Sequence, residues 1–237
     1  MARYAAIDCG TNSLRLLISE DNHGRPREII RLMEIVRLGQ GVDATGEFAP
    51  EALERTRKVL AKYVDLMQQE RVQDVRMVAT SATRDARNKD EFFAMTAELL
   101  GQIRPGARAQ VITGEEEAKL SFIGAVAYLS KEQGPFCVID LGGGSTEFVV
   151  GVADGQLLGS YSSQMGCVRI SERIMQSDPP TPEEVEAARQ YVAERLAEVQ
   201  EIVPIASAKT FVGCAGTFTT IAALVLGLEK YEPKAIH

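Results

Sequence analysis

The stretch that decides the fold is CVIDLGGGSTEFVVG, residues 137–151, because it has a near-copy at the start of the chain, AAIDCGTNSLRLLIS, residues 5–19. In each, an apolar run ends at an Asp, turns through glycine and small hydroxyl or amide residues, and continues as a second apolar run. Two short apolar runs joined by such a turn are typical of a β-hairpin. The repetition predicts two related α/β halves that begin with the same hairpin.

Predicted strands and helices alternate around the two hairpins. A long helix of the second half is marked by Thr181 as N-cap, Pro182 at its first position and Glu184 as the partner in a capping box. The predicted strands are 4–8, 13–19, 28–37, 75–79, 109–112, 136–140 and 146–152, with a further one in GQLLGSYSSQMG, and the predicted helices of the first half are 50–69, 90–100 and 115–129. We predict two domains, 1–130 and 131–237.

Composition limits the class of protein. A chain of 237 residues with 45% apolar and 25% charged residues is typical of a globular protein with one or two domains. The four cysteines form no CxxC pair, and the N-terminus does not resemble a secretion signal, so we expect buried thiols and a cytoplasmic location. Residues 210–228 carry no charge, but glycines and threonines divide them into a strand, a turn and a helix rather than a membrane span.

The charge of the chain bears on its partners. The net charge is −7, and no long cluster of Lys and Arg is present. A surface that coats nucleic acid needs such clusters to neutralise phosphates. We therefore expect no nucleic acid as partner, and any polyanion must be bound locally. Because residues 210–228 are not predicted to form a membrane span, no membrane is expected as partner either.

Both hairpin turns have the composition of a phosphate-binding loop. Glycines permit positive φ angles and leave room for backbone N–H groups to converge on a phosphate, and hydroxyl groups add donors. The Asp before each turn, Asp8 or Asp140, is a hard oxygen ligand suited to Mg²⁺. One DxG turn alone is equally well a plain hairpin turn. Two of them predict a cleft with a phosphate clamp on either wall, formed by Gly10, Thr11, Asn12, Ser13, Gly142, Gly143, Gly144, Ser145 and Thr146.

Six motifs resemble, in order and spacing, the exopolyphosphatase/guanosine pentaphosphate phosphohydrolase (Ppx/GppA) family, a branch of the actin–Hsp70–sugar kinase superfamily. They are IDCGTNSLRLLI, VRLGQG, ATSATRDARN, ITGEEEAKLSFIGA, VIDLGGGSTEFVVG and GCAGTFTTIAA. The resemblance implies two ribonuclease-H-like domains around a central cleft and Mg²⁺-dependent hydrolysis of a terminal phosphoanhydride. Because the family usually continues well beyond the equivalent of YEPKAIH, we expect the second domain to lack its last helices.

The resemblance also implies a catalytic base. The family motif places the water-activating carboxylate immediately before the Ala of TGEEEAKL, which is Glu117 here. The two preceding carboxylates suit a helix start, since Glu116 is the capping-box partner of Thr113 and Glu115 is a favourable charge in the first helical turn. A solvated helix charge is the alternative for Glu117. The only histidines are His23, in a polar turn, and the last residue, His237, so the sequence favours a carboxylate over an imidazole as base.

Further roles follow from the same resemblance. Arg84 is implied as a phosphate ligand, and an ion pair with Asp85 is the alternative. Asp140 and Glu147, with Asp8, are implied as the residues that hold Mg²⁺ and position the attacking water, although Glu147 could also be a plain strand residue.

A third glycine turn is indicated near the end of the chain. Gly213, Gly216 and Thr217 resemble a turn that opens onto a helix N-terminus and lines the cleft, and a plain helix start is the alternative.

The function expected from these observations is hydrolysis of inorganic polyphosphate from its end, with release of phosphate and with Mg²⁺ as cofactor. Guanosine pentaphosphate (pppGpp) is the alternative substrate. A kinase of the same superfamily and a non-catalytic sensor of phosphate or an alarmone remain open. A homodimer is expected by family analogy.

Overall fold

The structure of the protein is a computed structural model that describes residues 1–236. The chain divides into two compact units, Met1–Ile112 and a second unit that starts at Thr113. The predicted domain boundary lies later, between residues 130 and 131. The difference has a physical reason, because the helix that starts at Gly114 buries its apolar side chains against the sheet of the second unit.

The first unit is built on a five-stranded sheet with the order β3-β2-β1-β4-β5. Strands β1, β2 and β3 are antiparallel, and β4 and β5 run parallel to β1. Buried and half-buried residues alternate along most of β2, so one face of this strand forms part of the core. The elements are β1 Arg3–Cys9, β2 Ser13–Asn22, β3 Arg25–Ile35, α1 Val42–Thr45, α2 Pro50–Gln69, β4 Asp74–Ala79, α3 Ser81–Asp85, α4 Lys89–Leu100 and β5 Ala109–Val111.

The second unit has a four-stranded sheet with the order β8-β7-β6-β9. Every residue of β7 is buried, because α5 packs on one face of the sheet and α7 on the other. A strand buried on both faces reads as a continuous apolar run, as FVV in β7 does. The elements are α5 Gly114–Val126, β6 Phe136–Leu141, β7 Thr146–Gly151, β8 Leu157–Ser163, α6 Cys167–Arg173, α7 Pro182–Ile202, β9 Thr210–Cys214, α8 Ala215–Val225 and α9 Pro233–Ile236.

The two sheets repeat one plan. In each, three antiparallel strands are followed by a fourth strand that lies parallel to the first. The two hairpin turns are closed in the same way, since the N–H of Gly10 donates to the carbonyl of Ser13 and the N–H of Gly142 donates to the carbonyl of Ser145, both at 3.0 Å. The predicted repetition of the hairpin is therefore confirmed.

The structure also confirms the predicted starts of the long helices α2 and α7. Helix α2 has the predicted bounds, and α7 begins with the complete capping box of Thr181 and Glu184. The short helices α1, α3 and α6 were not predicted, because four to seven residues show no clear helical period. Within residues 1–236 no helix is both long and apolar enough to cross a membrane.

Candidate active site

The second hairpin brings two carboxylates together. Asp140 in β6 and Glu147 in β7 are directly paired across the strands, and Ser162 in β8 is paired with Glu147. Directly opposed residues of an antiparallel pair have Cβ atoms about 4.5 to 5.5 Å apart on the same face of the sheet. Asp140 is half-buried, whereas only 2% of Glu147 is exposed. The three side chains therefore form a row across one face of the sheet, close to the glycine turn.

Three serine hydroxyls hold these carboxylates. Ser121 donates to Oδ2 of Asp140 at 2.5 Å. Ser145 and Ser162 both donate to Oε1 of Glu147, at 2.8 and 2.7 Å. Sequence patterns did not identify Ser121 or Ser162. The available signal for Ser121 is its position four residues after Glu117, on the same face of helix α5.

Helix α5 carries the proposed base to the same place. Its N-cap Thr113 accepts a hydrogen bond from the N–H of Glu116 at 3.1 Å, which confirms the predicted cap of this helix by Thr113. A Cβ atom on Gly114 would lie 2.6 Å from Cβ of Ser162. Only glycine therefore allows the start of α5 to approach β8 this closely. As a result, half-buried Glu117 lies close enough to Glu147 to affect its ionisation.

The two neighbouring carboxylates make Glu147 harder to ionise. Burial, first, and then the negative charges of Glu117 and Asp140 raise the pKa of Glu147 to about 8, although hydrogen bonds from Ser162 and Ser145 oppose the shift. A buried carboxyl group with two acidic neighbours is an environment that a bound cation would relieve. The electrostatics of the site therefore favour a cation.

Stability should depend on pH through Glu147. The folded protein retains a proton at Glu147, with a pKa of about 8, that the unfolded chain releases near the ordinary pKa of 4.5. Because the folded state binds more protons between these values, the free energy of unfolding should fall as pH rises from about 5 to about 9 in buffer without divalent cations. Glu147→Gln removes the ionisation, so urea titrations should show a flatter pH dependence for this variant. Identical slopes for the two proteins would contradict the assignment.

The second glycine turn differs from expectation in two respects. Gly142 does not have a positive φ, and its need for glycine is one of space, since a Cβ atom would lie 3.0 Å from the Ser145 carbonyl. The same correction applies to the φ of Gly10. The hydroxyls of Ser145 and Thr146 donate to Glu147 and to the carbonyl of Met165, so their protons are directed at the protein. The backbone N–H groups are left as the principal donors for a ligand.

The first hairpin carries a different pair at the equivalent positions. Asp8 is paired across the strands with Arg15, whose Nη1 lies 3.4 Å from Oδ2 of Asp8. Thr11 is buried, and the carbonyl of Asn12 accepts backbone hydrogen bonds from the residues that follow β3. Half-buried Arg84 donates from Nη1 to the carbonyl of Ile112 at 2.9 Å. All of these groups lie in the first unit.

The third glycine motif is a strand followed at once by a helix. Gly213 lies inside β9, where a Cβ atom would overlap the ring of Phe218, so its glycine is required for packing rather than for a turn. The change of direction occurs at Ala215, which has a φ of 70°. Gly216 and Thr217 lie in the first turn of α8, as expected for a helix start.

The possible metal ligands are few. Within residues 1–236 no group of three or more His, Cys, Asp or Glu side chains is arranged to hold a metal ion. Mg²⁺ keeps several waters and is usually bound by one or two carboxylates together with substrate phosphates. The pair of Asp140 and Glu147 matches that requirement in number and chemistry. Of the two histidines, His23 is exposed in the turn between β2 and β3, and His237 lies outside the described residues.

Comparisons with known proteins agree over nearly the whole chain. The model of the Ppx/GppA phosphatase family matches residues 17–233. Exopolyphosphatase 2 of Mycobacterium tuberculosis is 54% identical over 241 residues, which cover 100% of this chain and 75% of the relative.

Solved structures show the same similarity. An exopolyphosphatase-like protein superposes with a TM-score of 0.88 and 40% identity, over 97% of this chain and 70% of the other. A Ppx/GppA family member of Aquifex aeolicus superposes with a TM-score of 0.76 and 34% identity, over 100% of this chain and 73% of the other. The expected class, an α/β fold with two ribonuclease-H-like sheets, is confirmed by these structures.

Proposed function

The chain belongs to the Ppx/GppA phosphatase family, and from this we propose that it is an exopolyphosphatase, which hydrolyses the terminal phosphoanhydride of inorganic polyphosphate and releases phosphate. The observation that carries the proposal is the group of Glu117, Asp140 and Glu147 beside the glycine turn of the second hairpin. The name of the M. tuberculosis relative, exopolyphosphatase 2, supports the same substrate.

Glu117 is the proposed general base. It takes a proton from water, the water oxygen forms a bond to the terminal phosphorus, and the bond to the bridging oxygen breaks, so that the electron pair leaves with the shortened chain. Glu147 is less suited to this role, because it is almost completely buried and already accepts two hydroxyl hydrogen bonds. Half-buried Glu117 at the start of α5 keeps access to water.

Mg²⁺ is the proposed cofactor, and Asp140 and Glu147 would hold it; Asp8 is a separate candidate ligand within the first unit. When bound, the ion would neutralise charge on the terminal phosphoryl group. Ser121 and the two serines on Glu147 fix the direction of the carboxylate oxygens before any ion arrives. The raised pKa of Glu147 supports this role, because cation binding would compensate for the crowded negative charge.

Substrate binding is proposed for backbone N–H groups rather than for a large basic surface. Each hairpin turn offers such donors within its own unit, and the Arg84 guanidinium is proposed as a phosphate ligand in the first unit. Gly216 and Thr217, at the start of α8, are weaker candidates, and Gly213 is better explained by the packing of Phe218.

The substrate preference follows from charge. An enzyme that grips many phosphates needs a run of Lys and Arg, whereas this chain has a net charge of −7. We expect it to act from the chain end and to hydrolyse short or medium polyphosphate at least as well as very long chains. Guanosine pentaphosphate should be the poorer substrate, because the recognised motifs contain no indication of a guanine pocket.

The experiment is phosphate release from polyphosphate of several lengths and from guanosine pentaphosphate, side by side, with Mg²⁺ and with EDTA. Release from polyphosphate without any acceptor excludes a kinase, and turnover excludes a pure sensor. A large preference for guanosine pentaphosphate at equal concentration, or an affinity that falls steeply with salt, would contradict the charge argument.

We also propose a cytoplasmic location and a homodimer. All four cysteines are free thiols. Free thiols are typical of a reducing compartment, which supports a cytoplasmic location. A homodimer is proposed by analogy with the family.

A further inference from the structure

One short segment holds the carbonyl groups of the second glycine turn. This segment, residues 166–169, follows β8 and begins α6, and we call it the brace. The N–H of Cys167 donates to the carbonyl of Gly142 at 3.0 Å, and the N–H of Val168 donates to that of Gly143 at 2.9 Å. The third carbonyl, of Gly144, accepts from Nε of Arg169 at 2.8 Å. Three successive carbonyls are therefore directed at the brace.

The direction of these carbonyls fixes the direction of the N–H groups. In a planar trans peptide the C=O of one residue and the N–H of the next point to opposite sides. The N–H groups of Gly143, Gly144 and Ser145 therefore point away from the brace. Within residues 1–236 no backbone or side-chain acceptor is bonded to these three N–H groups. They form a set of donors of the kind that binds a phosphate oxygen.

Arg169 binds the carbonyl of Gly144 with its side chain. Only 8% of Arg169 is exposed, and its Nε is bonded to a carbonyl of the turn. Burying a guanidinium is costly unless its donors are satisfied. The burial of Arg169 is therefore better explained by its bond to the turn than by an ordinary surface position. The fork of the guanidinium is suited to a fixed carbonyl position, which a flexible ammonium group does not provide.

In the first hairpin, the equivalent carbonyl groups are bound by backbone N–H groups alone. The carbonyl of Thr11 accepts from the N–H of Gly39 at 2.8 Å, and that of Asn12 accepts from the N–H groups of Val36 and Arg37 at 3.0 and 2.9 Å. The residues that follow the third strand thus hold the turn in both units. Gly144 is the residue equivalent to Asn12. Its carbonyl accepts from the Arg169 side chain, whereas the carbonyl of Asn12 accepts from backbone N–H groups.

Steric fit fixes the distance between brace and turn. A Cβ atom on Gly166 would lie 2.2 Å from the carbonyl oxygen of Gly143. The φ of Gly166 is −102°, so glycine is required by space and not by backbone conformation. Glycine at position 166 therefore allows the brace to approach the turn this closely.

We propose that Arg169 is a positioning residue, which fixes the Gly144 carbonyl and thereby aims the N–H of Ser145 at a phosphate oxygen of the substrate. The proposal rests on the proposed function for the substrate but concerns phosphate binding itself. Arg169 acts through the backbone of the turn and makes no contact with substrate.

The test compares Arg169→Met with Arg173→Met, an exposed arginine at the end of the same helix. Inorganic phosphate is titrated into ¹⁵N-labelled protein, and the amide signals of residues 143–145 are followed. We expect phosphate to shift these signals in the wild type and in Arg173→Met. In Arg169→Met the affinity should fall roughly 10- to 100-fold, the range expected when the misdirected Ser145 N–H loses its hydrogen bond to a charged phosphate oxygen. KM for polyphosphate should rise by a similar factor.

A purely structural role predicts a different result. It would lower the thermal midpoint and the active fraction but leave the phosphate affinity and KM of the folded protein unchanged, and this result would overturn the proposal. If Arg169→Met does not fold, Arg169→Lys replaces it, and wild-type phosphate affinity in that variant would equally overturn the proposal. Absence of amide shifts in the wild type would do the same. A wild type that binds phosphate but does not hydrolyse polyphosphate would instead contradict the proposed function alone.

Discussion

We expect Glu117→Gln to lower phosphate release from polyphosphate by roughly 10²- to 10⁴-fold, the contribution of a general base. The amide has the size of the carboxylate and a similar helix propensity, but it cannot take a proton from water. Substrate binding should survive, so kcat falls while KM changes little. Steady-state kinetics with Mg²⁺ and polyphosphate measure both constants.

Two neighbours supply matched controls for this substitution. Glu116→Gln and Glu115→Gln make the same chemical change in the same helical turn, where the N–H of Glu116 is capped by Thr113 and Glu115 is exposed. Both variants should keep nearly the full rate. A Glu117→Gln enzyme with full activity, together with an inactive Glu116→Gln enzyme, would show that the base has been assigned to the wrong carboxylate.

Asp140→Asn should raise the Mg²⁺ concentration needed for half-maximal activity by at least about tenfold, because a neutral amide replaces a charged oxygen ligand. The rate at saturating Mg²⁺ should also fall. The amide oxygen can still accept the hydrogen bond from Ser121, so the local packing should persist. Activity measured as a function of Mg²⁺ concentration separates the loss of metal affinity from the loss of rate.

The control for this change lies in the same unit. Asp154 is exposed in the turn between β7 and β8, where its Oδ1 accepts from the N–H of Gln156 at 3.0 Å. Asp154→Asn should leave the Mg²⁺ requirement unchanged. An Asp140→Asn enzyme with an unaltered Mg²⁺ titration would remove this carboxylate from the proposed metal site.

The elements with local signals could be predicted from the sequence. The start of α7 is determined by the capping box of Thr181 and Glu184 and by Pro182 at the first position, all within one helical turn. The two hairpins could be predicted because each turn and its flanking apolar runs are continuous in sequence. The predicted domain boundary differs from the observed one because the partner of α5 is the second sheet, and a helix does not carry in its own sequence the identity of the surface that it covers.

At the candidate site, too, local sequence patterns could predict only residues close together in sequence. Asp140 and Glu147 could be found because they flank one turn. Ser162 and Arg169 could not, because they reach the site only through pairing with β7 and through the short helix α6. The specific reason for glycine at position 142, its close approach to the Ser145 carbonyl, could not be predicted, because it depends on the folded turn and not on composition.

The two hairpins share one cross-strand register but differ in the charge of one paired residue. Asp8 and Asp140 occupy equivalent places, but the residue across the strand is Arg15 in one half and Glu147 in the other. One half thus neutralises its own acid, while the other accumulates negative charge. In a duplicated scaffold, a difference at this single cross-strand position is enough to pair the acid with a base in one copy and with a second acid in the other.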